Sequence, residues 1–251
     1  MSKILITGGT GTLGKKLCQQ LDAQNISYIV GTRKKSKDPD KVTMDLIKNT
    51  GIGEAVIGKE IIFHLATDMK KDTEATQNLL NALGAQSNVH LIYISIVGIN
   101  SIPFSYYRQK LSSENAIKRS GISYSIVRAT QFHEFAHRII ENLLKYRIGI
   151  LPKKIVLQTI DSSLVAKKLM NVSQKRPQNK TYELGGAEIL NLGQMADEWL
   201  NLTGKHRLII NTPIPGKLGK ALRFGKLTTS YKYVESSTYR QWLESYLKLT
   251  T

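Results

Sequence analysis

Ile4-Leu5-Ile6-Thr7-Gly8-Gly9-Thr10-Gly11-Thr12-Leu13-Gly14 is the stretch that decides the fold. A short apolar run leads into a glycine-rich turn, and the turn leads into a segment with helical spacing. Gly8 and Gly11 allow backbone angles that a side chain forbids, and they let the main chain approach a pyrophosphate closely. Gly14 falls where the new helix must pack tightly against the strand. The free N–H groups at the helix start, reinforced by its dipole, favour phosphate oxygens. Strand, turn and helix in this order predict a dinucleotide site formed by Gly8, Thr10, Gly11, Thr12, Leu13 and Gly14.

Outward from that stretch, apolar runs recur with helical patterns between them. Strands are expected at Ile4–Thr7, Tyr28–Gly31, Val42–Met44, Ile61–Ala66, Val89–Ser95 and Tyr124–Arg128. Helices are expected at Thr12–Ala23, Ile47–Ile57, Thr73–Gly84 and Ser105–Ser120. Continuous apolar strands alternating with helices imply a parallel sheet covered on both faces. Right-handed crossovers then give an α/β fold of the Rossmann type, a doubly wound parallel sheet. After Arg128 the alternation breaks. Gln131–Ile148 reads as a loop running into a helix, Ile155–Leu157, Thr181–Leu184 and Leu208–Asn211 as short strands, and Ser162–Val172 and Leu192–Leu202 as helices. Pro213, Pro215 and Gly216 punctuate a turn before a last amphipathic segment, Ser237–Leu249. No low-complexity linker intervenes. Residues 1–251 are therefore expected to form one domain, with a core over 1–130 and a substrate-side portion over 131–251 that covers the carboxyl ends of the strands.

Length and composition bound the class. The 251 residues can bury a substantial core, with 41% hydrophobic and 22% charged residues. No run approaches the roughly 18–20 apolar residues of a membrane span. The N-terminus passes straight into the first strand without room for a cleavable signal, and the single cysteine, Cys18, suits a reducing compartment, so a cytoplasmic location is expected. The five histidines are read as scattered, without His-x-x-x-His or paired-cysteine spacing, so no metal site is expected. The formal net charge of +17 stands out, with seven basic and no acidic residues from Lys205 to Lys232. Such an excess attracts polyanions or an anionic surface. No nucleic-acid-binding signature accompanies it, so neither a nucleic-acid nor a membrane partner is expected, and a homodimer is the base-rate assembly. Lys217–Leu227 places Leu218, Ala221, Leu222 and Gly225 at helical spacing, either closing the substrate pocket or lying on a membrane surface.

The cofactor is read from the residues past the turn. NAD sites commonly place a carboxylate about 20 residues beyond the glycines, on the ribose hydroxyls. Here the chain has Thr32-Arg33-Lys34-Lys35, with three cations and no acid. A guanidinium grips a 2′-phosphate through paired, charge-assisted hydrogen bonds, which points to NADP (NADPH). Asp45-Leu46 follows the third strand, where it can meet the adenine. Ala66-Thr67 ends the fourth, where small residues let the cofactor backbone pass.

With these residues in hand the chain resembles the short-chain dehydrogenase/reductase superfamily. More closely it is similar to the atypical branch of NmrA-like proteins and NAD(P)H-binding quinone oxidoreductases. The matching segments are Thr7-Gly8-x-x-Gly11-x-x-Gly14, His64-Leu65-Ala66-Thr67, Tyr93-Ile94-Ser95-Ile96-Val97-Gly98 and Tyr106-Tyr107-Arg108-Gln109-Lys110. Val127-Arg128-Ala129-Thr130-Gln131-Phe132-His133, Glu183-Leu184-Gly185-Gly186 and Pro215-Gly216-Lys217 echo the same group. The usual Asn-rich motif after the fourth strand is replaced by Ala66-Thr67-Asp68.

The resemblance implies hydride transfer from NADPH to a carbonyl or quinone acceptor, with Ser95, Tyr106 and Lys110 as the catalytic trio. Tyr106 and Lys110 stand four apart and share one helix face. The tyrosine protonates the carbonyl oxygen, the lysine lowers the tyrosine pKa and holds the nicotinamide ribose, and the serine orients the substrate oxygen. Tyr107 is the alternative ring on the same helix start. Gln131 and Phe132 are expected to touch the substrate, with His133 lining its mouth or capping the next helix. Some NmrA-like relatives bind the cofactor without turnover, so a non-catalytic NADP-binding redox sensor stands as the alternative. A sugar-nucleotide isomerase of the extended type is a third reading, for which the C-terminal third is short.

Overall fold

The computed structural model describes residues 2–84, 88–233 and 235–250. The opening strand β1 (Ile4–Thr7) is buried throughout, and α1 (Thr12–Ala23) starts directly after the glycine turn. There follow β2 (Ile29–Thr32), β3 (Lys41–Thr43), α2 (Ile52–Val56), β4 (Ile61–His64), α3 (Asp72–Leu83), β5 (His90–Ile96), α4 (Ser105–Arg119) and β6 (Ser123–Ala129). The remainder forms α5 (His133–Leu143), β7 (Ile148–Leu151), β8 (Val156–Leu157), α6 (Ser162–Ser173), β9 (Lys180–Leu184), β10 (Leu190–Asn191), α7 (Leu192–Thr203), β11 (Leu208–Asn211), α8 (Gly216–Arg223) and α9 (Tyr239–Thr250).

Seven strands make one sheet in the order β3-β2-β1-β4-β5-β6-β9. The β1–β2, β1–β4, β2–β3 and β4–β5 pairs are all parallel, with Leu5 opposite both Ile29 and Ile62. This is the doubly wound Rossmann sheet. The chain order reverses between β1 and β4, the switch point beside which ligands bind in this architecture. Leu5, Ile62, Leu79, Leu91, Tyr93 and Ile126 belong to one buried cluster, and the intervening Ile6, Phe63, Ile92 and Val127 are buried as well, so these strands are apolar on successive residues rather than alternate ones.

The expected helix over Ile47–Ile57 shrinks to α2. The Asp45 carboxylate accepts from the N–H groups of Ile47 (2.9 Å) and Lys48 (3.0 Å), and Asp45 and Thr50 exchange backbone hydrogen bonds. That turn holds the segment out of the helix until Gly51, at φ +67°, starts it. The helix expected to run to Ile148 ends at Leu143, and Ile148–Leu151, for which no strand was expected, pairs in parallel with β11.

Two compact units emerge. The first comprises Met1–Ser95, Ser105–Arg128 and Val165–Tyr182, and the second Ile96–Phe104, Ala129–Leu164 and Glu183–Thr251. The chain thus returns to the first unit after residue 164. Within the second unit, β8 pairs antiparallel with β10, and α7 opens with a capping box between Asn191 and Gln194. Among the described residues no helix is long and apolar enough to cross a membrane.

Candidate functional site

The glycine turn can be tested against the group it is expected to hold. Gly8 has φ +74°, and a Cβ built there would meet the Ala66 backbone nitrogen at 2.5 Å. A Cβ on Gly14 would meet the Gly8 carbonyl oxygen at 2.2 Å. Only glycine lets β1, the turn and α1 approach this closely. Gly11 caps α1 without a side-chain hydrogen bond, and no acidic residue occupies the first helical turn. Thr10, Gly11 and Thr12 are exposed there, while Leu13 anchors the helix in the core. An exposed helix N-terminus with no internal anion fits a diphosphate.

The other expected cofactor residues are distributed around the same sheet edge. Thr32 ends β2, and its hydroxyl accepts from the Lys34 N–H at 3.3 Å. Arg33 is exposed and makes no ion pair among the described residues. The Asp45 carboxylate is engaged by its own turn, and the Leu46 side chain lies in the core cluster. Ala66 donates its N–H to the Thr7 hydroxyl at 3.3 Å, and Thr67 is exposed at the end of the next residue step.

Behind that edge runs a continuous buried polar chain, and its polarity can be derived from one group. Asp72, 1% exposed, is held below the usual carboxylate range. Burial pushes its pKa up, but the Lys110 ammonium and the hydrogen bonds from Tyr93 and Thr67 outweigh it. An ionised carboxylate only accepts. So Tyr93 OH (2.6 Å) and Ser113 Oγ (2.9 Å) donate to Oδ2, and Thr67 Oγ1 (2.8 Å) donates to Oδ1. With the Ser113 proton committed, Thr76 donates to Ser113 at 3.2 Å. Thr76 then accepts from His64 Nε2 at 3.1 Å, and His64 Nδ1 accepts from the Thr7 hydroxyl at 2.9 Å. This fixes His64 as the neutral Nε2–H tautomer, in keeping with burial pulling its pKa down to about 4.

The same logic orients the expected acid. Thr67 gives its proton to Asp72, so the Tyr106 hydroxyl, 2.9 Å away, donates to Thr67. Burial first, and then the Asp72 charge, raise the Tyr106 pKa. Lys110, 2% exposed, lies 3.4 Å from Asp72 Oδ1, donates to the Ile94 carbonyl at 3.2 Å and sits 4.5 Å from the centre of the Tyr93 ring. Burial pulls its pKa below the ordinary lysine value, with Asp72 and Glu114 opposing. The lysine charge expected to act on the tyrosine is thus directly paired with a carboxylate.

Tyr106 and Lys110 are therefore brought together on one node, Thr67–Asp72. Ser95 is not brought to it. Its hydroxyl donates to Glu114 Oε1 at 2.6 Å, and Glu114 also takes both Nε (2.8 Å) and a terminal nitrogen (2.7 Å) of Arg128. Glu114 is fully buried, and these donors overcome burial to hold its pKa down. Asp72, Tyr93, Ser113 and Glu114 were not singled out by sequence. The available signal was helical spacing: Lys110, Ser113, Glu114 and Ile117 form the buried stripe of α4.

The reading of the histidines as scattered needs correction, because His133-Glu134-Phe135-Ala136-His137 has the His-x-x-x-His spacing of a helical metal-binding pair. The structure turns both imidazoles into an aromatic cluster instead. His133 stacks on Trp242 with ring centres 5.3 Å apart, its Nδ1 bonds to Thr159, and Glu134 accepts from Ser162. Among the described residues no group of three or more His, Cys, Asp or Glu is placed to hold a metal ion.

A family model described as NAD(P)H-binding matches residues 8–168. An NADPH-dependent quinone oxidoreductase from Escherichia coli, complexed with NADPH, superposes with a TM-score of 0.80 at 18% identity, covering 97% of this chain and 99% of the other. A nucleoside-diphosphate-sugar epimerase from Staphylococcus aureus gives 0.79 at 20% identity, covering 97% and 100%. A UDP-glucose 4-epimerase from Thermotoga maritima with UDP-glucose gives 0.76 at 15% identity, covering 99% of each chain. No curated protein matches the sequence.

Proposed function

The chain belongs to the NAD(P)H-binding family, and from that premise we propose that it is an NADP-dependent oxidoreductase that passes hydride to a carbonyl or quinone acceptor. The observation that carries this reading is the convergence of Tyr106 and Lys110 on the Thr67–Asp72 node, in the compact unit that also holds the glycine turn.

In this reading the backbone of Gly8, Thr10, Gly11, Thr12, Leu13 and Gly14 holds the diphosphate. Thr32 and Arg33 take the 2′-phosphate, Asp45 and Leu46 border the adenine, and Ala66 and Thr67 flank the path towards the nicotinamide. When bound, NADPH supplies the hydride that adds to the acceptor carbon. Tyr106 supplies the matching proton to the acceptor oxygen, turning its hydroxyl away from Thr67 to do so. Lys110 opposes the negative charge left on the phenol and is kept in place by Asp72 and the Ile94 carbonyl. Ser95 acts at one remove, bracing Glu114 and Arg128 at the end of β5.

A non-catalytic NADP sensor is the second reading. It is favoured by the raised Tyr106 pKa and by the commitment of the Ser95 hydroxyl to Glu114. Turnover separates the two. Purified protein is expected to oxidise NADPH with members of a quinone and aldehyde panel. Tyr106→Phe is expected to slow this by about 10²–10⁴, the usual worth of a general acid, with NADPH affinity retained. Tight NADPH binding with no acceptor ever reduced would replace the oxidoreductase reading by the sensor. Arg33→Glu is expected to weaken NADPH binding at least about tenfold, on the scale of one charge-assisted hydrogen bond, and to leave NADH binding nearly unchanged by titration calorimetry.

A further inference from the structure

β7 and β11 form a two-stranded parallel sheet in the second compact unit, with Leu208 opposite Ile148 and Ile210 opposite Ile150. Side chains alternate across a strand, so these four share one face. They are 59% (Ile148), 56% (Ile150), 62% (Leu208) and 49% (Ile210) exposed. The opposite face is the inner one. Gly149 and Leu151 are buried, and a Cβ on Gly149 would meet Leu144 at 2.5 Å. Tyr146, two residues before β7, is 71% exposed. Single exposed aliphatics need no explanation, but a block of four on adjoining strands marks an interaction surface.

Charge decides what that surface meets. The parallel register brings the two lead-in segments together: Leu208 donates its N–H to the Arg147 carbonyl at 2.9 Å, and Arg207 Nε donates to the Leu144 carbonyl at 3.1 Å. Lys145, Arg147, Lys205 and Arg207 therefore gather at one end of the aliphatic face. At the other end Lys153 and Lys154 follow β7. There α8, carrying Lys217, Lys220 and Arg223, follows β11 after Asn211, with Arg223 donating to the Ile214 carbonyl at 2.8 Å. Residues 142–160 and 199–234 contain no Asp or Glu.

We propose that this face docks peripherally on an anionic lipid bilayer. The acyl boundary takes Ile148, Ile150, Leu208 and Ile210, Tyr146 sits at headgroup level, and Arg147 and the lysines at both ends reach lipid phosphates on their flexible stems. A second copy fits poorly, because a two-fold pairing of this patch sets cationic ends against cationic ends. A nucleic acid would meet the cations but offers nothing apolar for the four aliphatic side chains. The basic segment Lys217–Leu227, which sequence offered either to the substrate pocket or to a membrane surface, is not part of this aliphatic face. The inference is independent of the dinucleotide reading.

Sedimentation of the full chain with vesicles tests it. Partitioning onto vesicles of phosphatidylcholine and phosphatidylglycerol in equal parts is expected to exceed that onto phosphatidylcholine alone by at least about tenfold and to weaken with added salt. The double variant Ile148→Asp/Ile210→Asp is expected to lose that partitioning while keeping the wild-type melting temperature. Ile150→Trp is expected to keep it and to show an emission shift to shorter wavelength on the anionic vesicles only. Equal sedimentation of the double aspartate variant would reduce the effect to general attraction by a +17 chain and overturn the proposal. So would absence of binding to anionic vesicles, or a wild-type dimer in solution that the same two substitutions disperse.

Discussion

Each compact unit buries a polar assembly, and the two are built on opposite terms. In the first, Thr7, His64, Thr76, Ser113, Tyr93 and Thr67 pass hydrogen bonds in one direction towards Asp72, so donors and acceptors pair off along the chain. In the second, the rings of His133, His137, Trp199, Tyr239, Trp242 and Tyr246 pack together with centres 5.0–6.5 Å apart. There His133 Nε2, His137 Nε2 and Trp199 Nε1 are buried without a hydrogen bond. The Glu141 carboxylate lies 3.5 Å from His137 Nε2. A polar network in which every proton has a destination fixes geometry, which is what a site requires. A ring cluster is held by the area it buries and tolerates idle polar atoms only while the imidazoles stay neutral.

The sharpest way to break that contrast is at Asp72. Asp72→Ala leaves the Lys110 ammonium buried and unpaired and also strands the hydroxyls of Tyr93 and Ser113. Loss of one partner of a buried pair costs about 3–5 kcal/mol, so urea unfolding is expected to show a fall of that size. Asp72→Ala/Lys110→Met removes both charges and is expected to recover more than half of it. If the two substitutions cost the sum of their separate effects, the pair is not the anchor of the network.

The second test uses pH. Burial holds His64, His90 and His133 at about 4, below the ordinary 6.5. Below pH 6.5 the unfolded chain takes up protons that these folded imidazoles refuse. Stability is therefore full above that point, falls as pH drops from 6.5 towards 4, and flattens once the folded groups also protonate. Each such histidine contributes a slope of up to about 1.4 kcal/mol per pH unit. His133→Phe is expected to remove one proton's worth of that slope. At pH 7 it costs only about 1 kcal/mol, for the Thr159 hydrogen bond. The same substitution at His64 is expected to cost more at every pH, because both of its nitrogens are engaged. Equal costs at the two positions would erase the distinction between the assemblies.

What sequence disclosed follows the same division. The turn from Gly8 to Gly14 was legible because backbone approach leaves a compositional trace: no other residue fits beside Ala66 or the Gly8 carbonyl. The parallel sheet was legible because strands buried on both faces are apolar at successive positions. Helix α2 was overextended because Asp45 holds its local turn through two backbone N–H groups, a competition that hydrophobic periodicity does not record. Strand β7 was missed because its partner, Leu208–Asn211, lies some sixty residues away and a four-residue Ile-Gly-Ile-Leu run has no period of its own. Asp72 was invisible for a related reason. At the head of a helix a carboxylate reads as a dipole partner, and only the meeting of α3, α4 and β5 turns it into the acceptor of the network.

The smallest expected effect concerns Ser95, and it separates a structural hydroxyl from a catalytic one. Its hydrogen bond to the buried Glu114 carboxylate is charge-assisted, and such bonds are worth about 1.5–3 kcal/mol. Arg128 supplies two further donors to the same carboxylate, so Glu114 stays compensated when one is lost. Ser95→Ala is therefore expected to lower stability towards the bottom of that range. NADPH oxidation, once an acceptor is found, should keep its rate within about threefold, far from the loss a general acid produces. Ser95→Thr, which restores a hydroxyl, should return the stability without altering turnover. A rate loss matching that of Tyr106→Phe would instead put the Ser95 hydroxyl at the reacting oxygen, and Glu114 would then become the group that holds it there.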